Sequence, residues 1–170
     1  MGAKGIILGI TLVVATILLV YLPFVLDKGT SWQEIYLADV LFREGVECLR
    51  EGDLSRAERA FKEAIACQPF FALAHYNLAY VYERQGRFAE AIEEYHRTIV
   101  LDPEAYFAFY RAGSILAELG RYSDAVSYLR RAIELNPTRA NFYKRLANVF
   151  LELGDAKSAE QVYEKIPRVE

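Results

Sequence analysis

The stretch GRYSDAVSYLRRAIELNP, residues 120–137, repeats the pattern of GRFAEAIEEYHRTIVLDP, residues 86–103, at a distance of 34 residues. In each stretch a glycine comes first, an alanine follows five residues later and a proline comes last, as in Gly120, Ala125 and Pro137. Between these residues, apolar side chains recur every three or four positions, which is typical of an amphipathic helix. Two copies of one helix with the same boundaries indicate an internal repeat.

Steps of 34 residues from Ala72 divide the chain into four units, at about 38–71, 72–105, 106–139 and 140–170. Four positions of the unit agree along the chain. Position 15 is Gly52, Gly86, Gly120 and Gly154. Position 20 is Ala57, Ala91, Ala125 and Ala159. Position 24 is Phe61, Tyr95, Leu129 and Tyr163, and position 32 is Pro69, Pro103 and Pro137.

Each of these positions has a physical role in a helical hairpin. Glycine adopts the left-handed conformation that commonly follows a helix at the lowest cost, so it marks the turn inside the hairpin. The alanine is expected where two helices cross closely, and the residue at position 24 is expected in the core. The proline cannot continue a helix and ends the second one. Because one hairpin cannot bury its apolar face alone, copies in register stack on each other, and we predict an all-α solenoid of four hairpins.

The pattern resembles the tetratricopeptide repeat (TPR) family, whose unit is 34 residues long with a small residue at position 8. That position holds Gly45, Ala79, Gly113 and Ala147. The resemblance covers residues 38–166. It departs from the family at position 7, where Glu44 replaces the usual leucine, and at position 11, where Cys48 and Leu116 replace the usual tyrosine. Two of these departures fall in the first unit, which is therefore interpreted as an edge repeat.

The first helix of the first unit is expected to begin early. Ser31 and Glu34 have the spacing of a capping box, so the helix is predicted to run from Trp32 to about Glu51.

An uncharged apolar run at residues 5–26 is about 33 Å long as a helix, enough to cross a bilayer core of about 30 Å. The run is longer than the apolar part of a signal peptide and no cysteine follows it closely, so a transmembrane helix is the preferred interpretation. The predicted organisation is an anchor at 1–27, a short linker at 28–31 and a TPR domain at 32–170. Lys4 favours a cytoplasmic N-terminus and a periplasmic TPR domain.

In the TPR family, positions 2, 5, 6 and 9 of the first helices line a concave surface. The resemblance therefore implies a peptide-binding groove, for which we select Arg43, Tyr76, Asn77, Tyr80, Phe107, Tyr110, Arg111, Lys144, Arg145 and Asn148. Aromatic rings beside guanidinium groups suit a peptide with apolar anchors and carboxylates. The alternative is that the tyrosines only pack between helices. Of the residues with which relatives grip a chaperone tail, only Asn77 and Arg111 are matched here.

Other chemistry has little support in the sequence. A net charge of −3 without a basic stripe gives no indication of a nucleic-acid partner. Cys48 and Cys67 do not form a disulfide framework, and His75, at a core-type position, and His96, on an outer face, lack ligand spacing, so no metal and no cofactor are expected. Glu93 and Glu94 are interpreted as a solvated helix face. No catalytic motif is present in the sequence, and we predict that the protein is not an enzyme.

The predicted function is that of a membrane-anchored scaffold that binds a protein or peptide client, expected to be a membrane protein, and aids assembly or stability of a membrane protein complex. The alternative is a permanent or self-oligomerising subunit, formed through the Gly5/Gly9 pair or through the last hairpin. No further helix is expected after that hairpin, which leaves Val162 and Ile166 as candidate contacts.

Overall fold

Eight α-helices follow one another along residues 32–167, the part of the chain that the computed structural model describes. They are α1 (Trp32–Glu51), α2 (Leu54–Cys67), α3 (Ala72–Arg84), α4 (Phe88–Leu101), α5 (Tyr106–Glu118), α6 (Tyr122–Leu135), α7 (Ala140–Glu152) and α8 (Ala156–Glu164). The predicted early start of the first helix at Trp32 is confirmed, whereas Ser31 of the expected capping box lies outside the described residues.

The helices pair into four hairpins, α1–α2, α3–α4, α5–α6 and α7–α8, and each hairpin packs on the next through α2–α3, α4–α5 and α6–α7. Contacts between helices farther apart in sequence are few: α1 meets α3, and α5 meets α7. Such nearest-neighbour packing is the property of a repeat solenoid. The predicted all-α solenoid of four hairpins is confirmed.

Glycine makes the turn within every hairpin. Gly52, Gly86, Gly120 and Gly154 have φ angles of 81°, 75°, 75° and 75°. In the first and last hairpins an aspartate then caps the second helix, because Oδ1 of Asp53 accepts from the Arg56 amide and Oδ1 of Asp155 accepts from the Ser158 amide, both at 3.0 Å. The second helices of the first three hairpins end two residues before their prolines, as the sequence predicts.

The core follows the repeat columns with one exception. The four alanines at position 20 are buried, and so are Phe61, Tyr95 and Leu129 at position 24. Tyr163, the fourth member of that column, is 42% exposed, so the prediction that it belongs to the core is wrong. The reason is geometric: α3, α5 and α7 follow the other three second helices, whereas no described helix follows α8.

The outward side of the first hairpin carries two carboxylates where the later units are apolar. Position 7 is Glu44 and position 10 is Glu47, and the same positions of the second unit are the buried Leu78 and Val81. Both carboxylates are more than half exposed and pair with arginines of their own hairpin. The side of α1 that in later hairpins would face the preceding one is therefore polar.

None of the helices within residues 32–167 is long and apolar enough to cross a membrane. Even α1, with 20 residues, carries charged side chains along its length, among them Asp39, Arg43 and Glu44. We correct the predicted localisation on this finding: a single-pass membrane protein with a cytoplasmic N-terminus and a periplasmic TPR domain is not supported. The predicted span at 5–26, the linker at 28–31 and the Gly5/Gly9 pair lie outside the described residues.

Candidate peptide-binding groove

A row of aromatic rings runs across α3, α5 and α7, the first helices of the second, third and fourth hairpins. The rings of Tyr76 and Phe107 meet edge to face with centroids 4.7 Å apart, and Tyr110 stacks on Phe142 at the same distance. Tyr106 joins the two pairs through contacts with Phe107 and Phe142. Such offset and edge contacts stabilise aromatic pairs beyond the burial of their area. The row is therefore a continuous packed surface that connects three hairpins.

A cavity of about 230 Å³ opens within this row. It is lined by Tyr76, Tyr106, Phe107, Tyr110, Arg111, Arg139, Asn141 and Phe142. Four of these residues, Tyr76, Phe107, Tyr110 and Arg111, belong to the set selected from the sequence. The other four were not selected. Tyr106 and Phe142 occupy positions 1 and 3 of the unit and Arg139 the loop before α7, none of them an inward position of the family, whereas Asn141 stands at the inward position 2.

Arg111 is held in place by its neighbours. Its Nη1 donates to Oε1 of Glu83 at 2.9 Å, and its guanidinium lies 4.9 Å from the centroid of the Tyr80 ring. Burial works to lower the pKa of Arg111, but the negative charge of Glu83 together with the neighbouring Tyr95 and Tyr76 raises that pKa above its ordinary value. Arg111 is thus a permanent cation whose side chain has one fixed direction at the edge of the cavity.

Glu83 also accepts a hydrogen bond from the second helix of its own hairpin. The hydroxyl of Tyr95 on α4 donates to Oε2 of Glu83 at 2.6 Å. Burial, together with the hydrogen bond to Glu83, raises the pKa of Tyr95, so this hydroxyl keeps its proton at physiological pH. One carboxylate therefore links α3, α4 and α5, and it contacts Arg111 at the edge of the cavity.

The remaining predicted residues lie apart from the cavity. On α1, Arg43 is exposed and pairs with Asp39 at 2.8 Å. The Asn77 side chain donates to the Leu73 carbonyl at 2.8 Å, and Tyr80 lies between the guanidinium groups of Arg84 and Arg111. Their polar groups already have partners within or between helices, so they extend the surface without lining the cavity.

Of the three predicted residues on α7, two make hydrogen bonds within the protein and the third is exposed to solvent. Arg145 donates to the Ser114 carbonyl at 2.8 Å, which ties α7 to α5. Asn148 accepts a hydrogen bond from the Tyr163 hydroxyl at 2.9 Å. Lys144 is exposed. None of the three lines the cavity in the aromatic row.

Positive charge is available beside the cavity. Arg139 lines it and Lys144 lies on the following helix, and within residues 32–167 neither has a carboxylate at ion-pair distance. An apolar or aromatic group would fit the aromatic lining of the cavity, and a carboxylate next to that group would pair with the positive charges.

Away from the groove, His75 and Glu94 form a buried pair that corrects one sequence interpretation. Nδ1 of His75 lies 2.6 Å from Oε2 of Glu94, whose side chain is only 12% exposed, and Nε2 lies 2.9 Å from the Pro69 carbonyl. Glu94 is therefore not part of a solvated helix face, although Glu93 and His96 are exposed as expected. Within the described part of the chain, no group of three or more His, Cys, Asp or Glu side chains could hold a metal ion.

Two family models, each described as tetratricopeptide repeat, match residues 36–106 and 116–170. The chain belongs to the tetratricopeptide repeat family. The sequence resemblance is thereby confirmed at the level of the family, and such proteins are typically scaffolds that bind other proteins.

Solved structures of this family resemble the TPR chain closely in fold. Two structures of MamA align with TM-scores of 0.73 and 0.74 at 28% and 19% identity, over 76% of this chain and 71% and 75% of theirs. The first TPR domain of Spaghetti (RPAP3), bound to the HSP90 peptide SRMEEVD, aligns with a TM-score of 0.69 at 22% identity, over 71% of this chain and 95% of that one. A search of curated proteins gave no significant match.

Proposed function

We propose that this TPR protein is a scaffold that binds an extended segment of a partner protein across α3, α5 and α7, and that it does so without catalysis. The observation that carries the proposal is the cavity of about 230 Å³ in the aromatic row, with Arg111 and Arg139 at its edge. A solved TPR domain of similar fold holds the peptide SRMEEVD, which supports peptide binding as the role of the array.

The partner segment is defined by the chemistry of the surface. Large half-buried rings favour an apolar anchor, and such anchors in well-packed pockets supply most of the binding free energy at protein interfaces. The guanidinium group of Arg139 and the ammonium group of Lys144 favour carboxylates next to that anchor. We infer that the client segment carries an aliphatic or aromatic residue followed or preceded by Asp or Glu, and that its binding aids assembly or stability of a protein complex.

Peptides selected from a random display library on the full-length chain would test the proposal. A photo-crosslinking residue in place of Asn141, which lines the cavity and is exposed, should capture the selected peptides. The same residue in place of Arg59, exposed on α2, is the control and should capture none. Capture at position 59 but not at 141 would contradict a groove on the first helices.

A matched pair of charge reversals would measure the electrostatic contribution to the affinity for the selected peptides. Arg139→Glu should weaken binding of acidic selected peptides by about tenfold, because it replaces attraction by repulsion at the edge of the cavity. Arg59→Glu changes the net charge equally and should leave the affinity unchanged. Equal affinities of the two variants, measured by fluorescence anisotropy, would show that the peptides bind elsewhere.

The alternative role as a permanent or self-oligomerising subunit stays a prediction. The molar mass of the full-length chain in solution, measured by light scattering over a range of concentrations, would separate it from the scaffold role.

A further inference from the structure

A recurring structural position lies between the two helices of the second, third and fourth hairpins, here called the first, second and third junctions. There, position 4 of a first helix meets position 23 of the second helix that follows it. At the first junction these residues are His75 and Glu94, which form the buried ion pair at 2.6 Å. At the second junction they are Phe109 and Tyr128, whose rings pack with centroids 5.9 Å apart. The same place is thus filled by a polar pair in one unit and by two rings in the next.

At the third junction the place is not filled. Position 4 is Tyr143, whose hydroxyl donates to the Pro137 carbonyl at 3.1 Å, much as Nε2 of His75 contacts the Pro69 carbonyl. Position 23 is Val162, which is far smaller than Tyr128. The result is an open cavity of about 400 Å³ between α6, α7 and α8. The preceding junction shows what fits in such a place: an aromatic ring.

The floor and the rim of this cavity differ in chemistry. Ile133, Leu146, Phe150 and Val162 give an apolar floor. At the rim, the guanidinium of Arg130 lies 5.8 Å from the Phe150 ring, and Lys165 follows the end of α8. The carboxylate at the rim, Glu134, is neutralised by Arg131 at 3.0 Å. Within residues 32–167, neither Arg130 nor Lys165 has an ion-pair partner, so the rim attracts anions.

We propose that this cavity between α6, α7 and α8 is a second binding site, which takes one aromatic side chain of a partner protein with acidic residues on either side of it. The ring occupies the place that Tyr128 fills one unit earlier, and the flanking carboxylates meet Arg130 and Lys165. The site lies on α6, α7 and α8 and shares no residue with the cavity of the aromatic row. It is therefore independent of the proposed groove, and a partner could engage both surfaces.

Methyl NMR on the full-length chain would test this site with defined probes. The tripeptide acetyl-Asp-Phe-Asp-amide should shift the methyl signals of Ile133, Leu146 and Val162 in a saturable manner. It should bind at least about tenfold more tightly than acetyl-Asp-Ala-Asp-amide, since the cavity removes the apolar surface of the phenyl ring from water. The probe acetyl-Lys-Phe-Lys-amide should bind more weakly than the acidic one. Equal shifts with the phenylalanine and alanine probes, or shifts confined to the groove, would overturn the proposal.

Two variants separate the site from general effects. Val162→Tyr fills the cavity with the side chain of the third unit, so the probe-induced shifts of the Ile133 and Leu146 methyl signals should be lost while the circular dichroism spectrum stays that of a helical array. Arg130→Glu changes only the exposed rim, so it tests the proposal even if the first variant does not fold, and should weaken that probe about tenfold. Arg59→Glu and Arg139→Glu should leave the affinity of the probe for this cavity, read from the methyl signals of Ile133 and Leu146, unchanged.

Residues 168–170 follow the described part of the chain and are tested as a competing occupant of the cavity. Their deletion should leave the methyl signals of the probe-free protein unchanged. If instead the deletion shifts the signals of Leu146 and Val162 and strengthens probe binding, residues 168–170 fill the cavity and the proposal is wrong. Unchanged affinity of both Val162→Tyr and Arg130→Glu would overturn it as well.

Discussion

Gly45 lies where α1 crosses α2, and the crossing leaves no room for a single side-chain carbon. A Cβ at this position would come within 2.6 Å of Cε1 of Phe61, a ring that is fully buried. The equivalent Gly113 is less confined, because its nearest neighbour would be Cγ of Leu129 at 3.0 Å. The second and fourth units accept alanine at the same position. The distance between paired helices therefore varies from hairpin to hairpin.

Gly45→Ala should lower the free energy of unfolding by roughly 1–3 kcal/mol, since overpacking a close-packed core forces rings and helices to move. Gly113→Ala, the matched control, should cost less, because a leucine can adjust its rotamer more easily than a packed phenylalanine. Urea unfolding followed by circular dichroism measures both. A loss at Gly113 that equals or exceeds the loss at Gly45 would contradict this account of the two crossings.

His75 gives the fold a dependence on pH. Burial works to lower the pKa of His75, but the hydrogen bonds to Glu94 and to the Pro69 carbonyl outweigh it and raise that pKa above its ordinary value of 6.5. Arg97, which lies 3.7 Å from Glu94, opposes the protonated form. Both ring nitrogens face oxygen atoms, so both must donate, and the imidazolium is the form that satisfies them.

A group whose pKa is higher in the folded state stabilises that state fully below its unfolded pKa and loses the effect as the pH rises through its folded value. The free energy of unfolding should therefore fall as the pH is raised from below 6.5 through the raised pKa of His75. His75→Gln should remove most of this slope, whereas His96→Gln, an exposed change on α4, should keep it. Unfolding midpoints in urea at a series of pH values decide the matter, and an unchanged slope in His75→Gln would argue against the pair as its origin.

The sequence predicted individual residues correctly at repeat positions where sterics allow only one kind of residue. Glycine with positive φ and alanine at a tight crossing follow from the local chain, so Gly86 and Ala91 are where they were expected. Glu94 could not be predicted in the same way. It stands among charged residues on α4, and only the stacking of α3 against α4 shows that a histidine faces it.

At the scale of the helices, Glu83 joins three elements through two hydrogen bonds. It accepts from Tyr95 on α4 and from Arg111 on α5, while it stands itself on α3. A partly buried polar network of this kind is costly to leave partly satisfied, because each group that loses its partner keeps part of its desolvation cost. The network therefore fixes the spacing between the second and third hairpins. It thereby also fixes the distance between α3 and α5, which carry part of the aromatic row.

Glu83→Ala should destabilise the protein by about 2–4 kcal/mol, since it leaves the Tyr95 hydroxyl and the Arg111 guanidinium without their acceptor. Tyr95→Phe removes one donor but keeps the ion pair, and should cost about 1 kcal/mol. The two free energies of unfolding, with that of the double variant, give the coupling between the groups. A loss in Glu83→Ala no larger than that in Tyr95→Phe would show that the network carries little of the stability.

The elements and part of the groove could be predicted from the sequence. The 34-residue period fixes which helices come first in each hairpin, and the inward positions then place Tyr76, Phe107, Tyr110 and Arg111 around the cavity. Arg139 could not be found this way, because it belongs to the loop before α7, whose path is not set by helical periodicity. Phe142 stands at position 3 of the unit, which is not one of the inward positions, yet its ring belongs to the row.

At the scale of the whole molecule, the array is held together by contacts between neighbours in sequence. A hairpin in the middle packs on both sides, whereas α8 packs on α7 and has no described helix beyond it. Stability in such arrays is close to a sum of unit and interface terms. The same column of the repeat should therefore contribute differently in the first and last units.

Phe61→Ala should cost about 3–5 kcal/mol, as expected for a fully buried ring. Tyr163→Ala, at the same position of the last unit, should cost about 1 kcal/mol, since Tyr163 is 42% exposed and loses mainly its hydrogen bond to Asn148. Chemical unfolding provides both values. Similar costs at the two positions would mean that α8 is covered in solution by a further part of the chain or by another copy.

The carboxylates on the outward side of α1 limit how such a protein can be lengthened. A copy of residues 72–105 grafted ahead of residue 38 would have to cover Glu44 and Glu47, and taking charges out of water without new cations opposite them costs several kcal/mol. The same copy spliced between residues 105 and 106 would meet apolar surfaces on both sides. Engineered or evolved extension of this scaffold should therefore proceed by duplication of interior units, and the first hairpin should stay at the N-terminal end of the array.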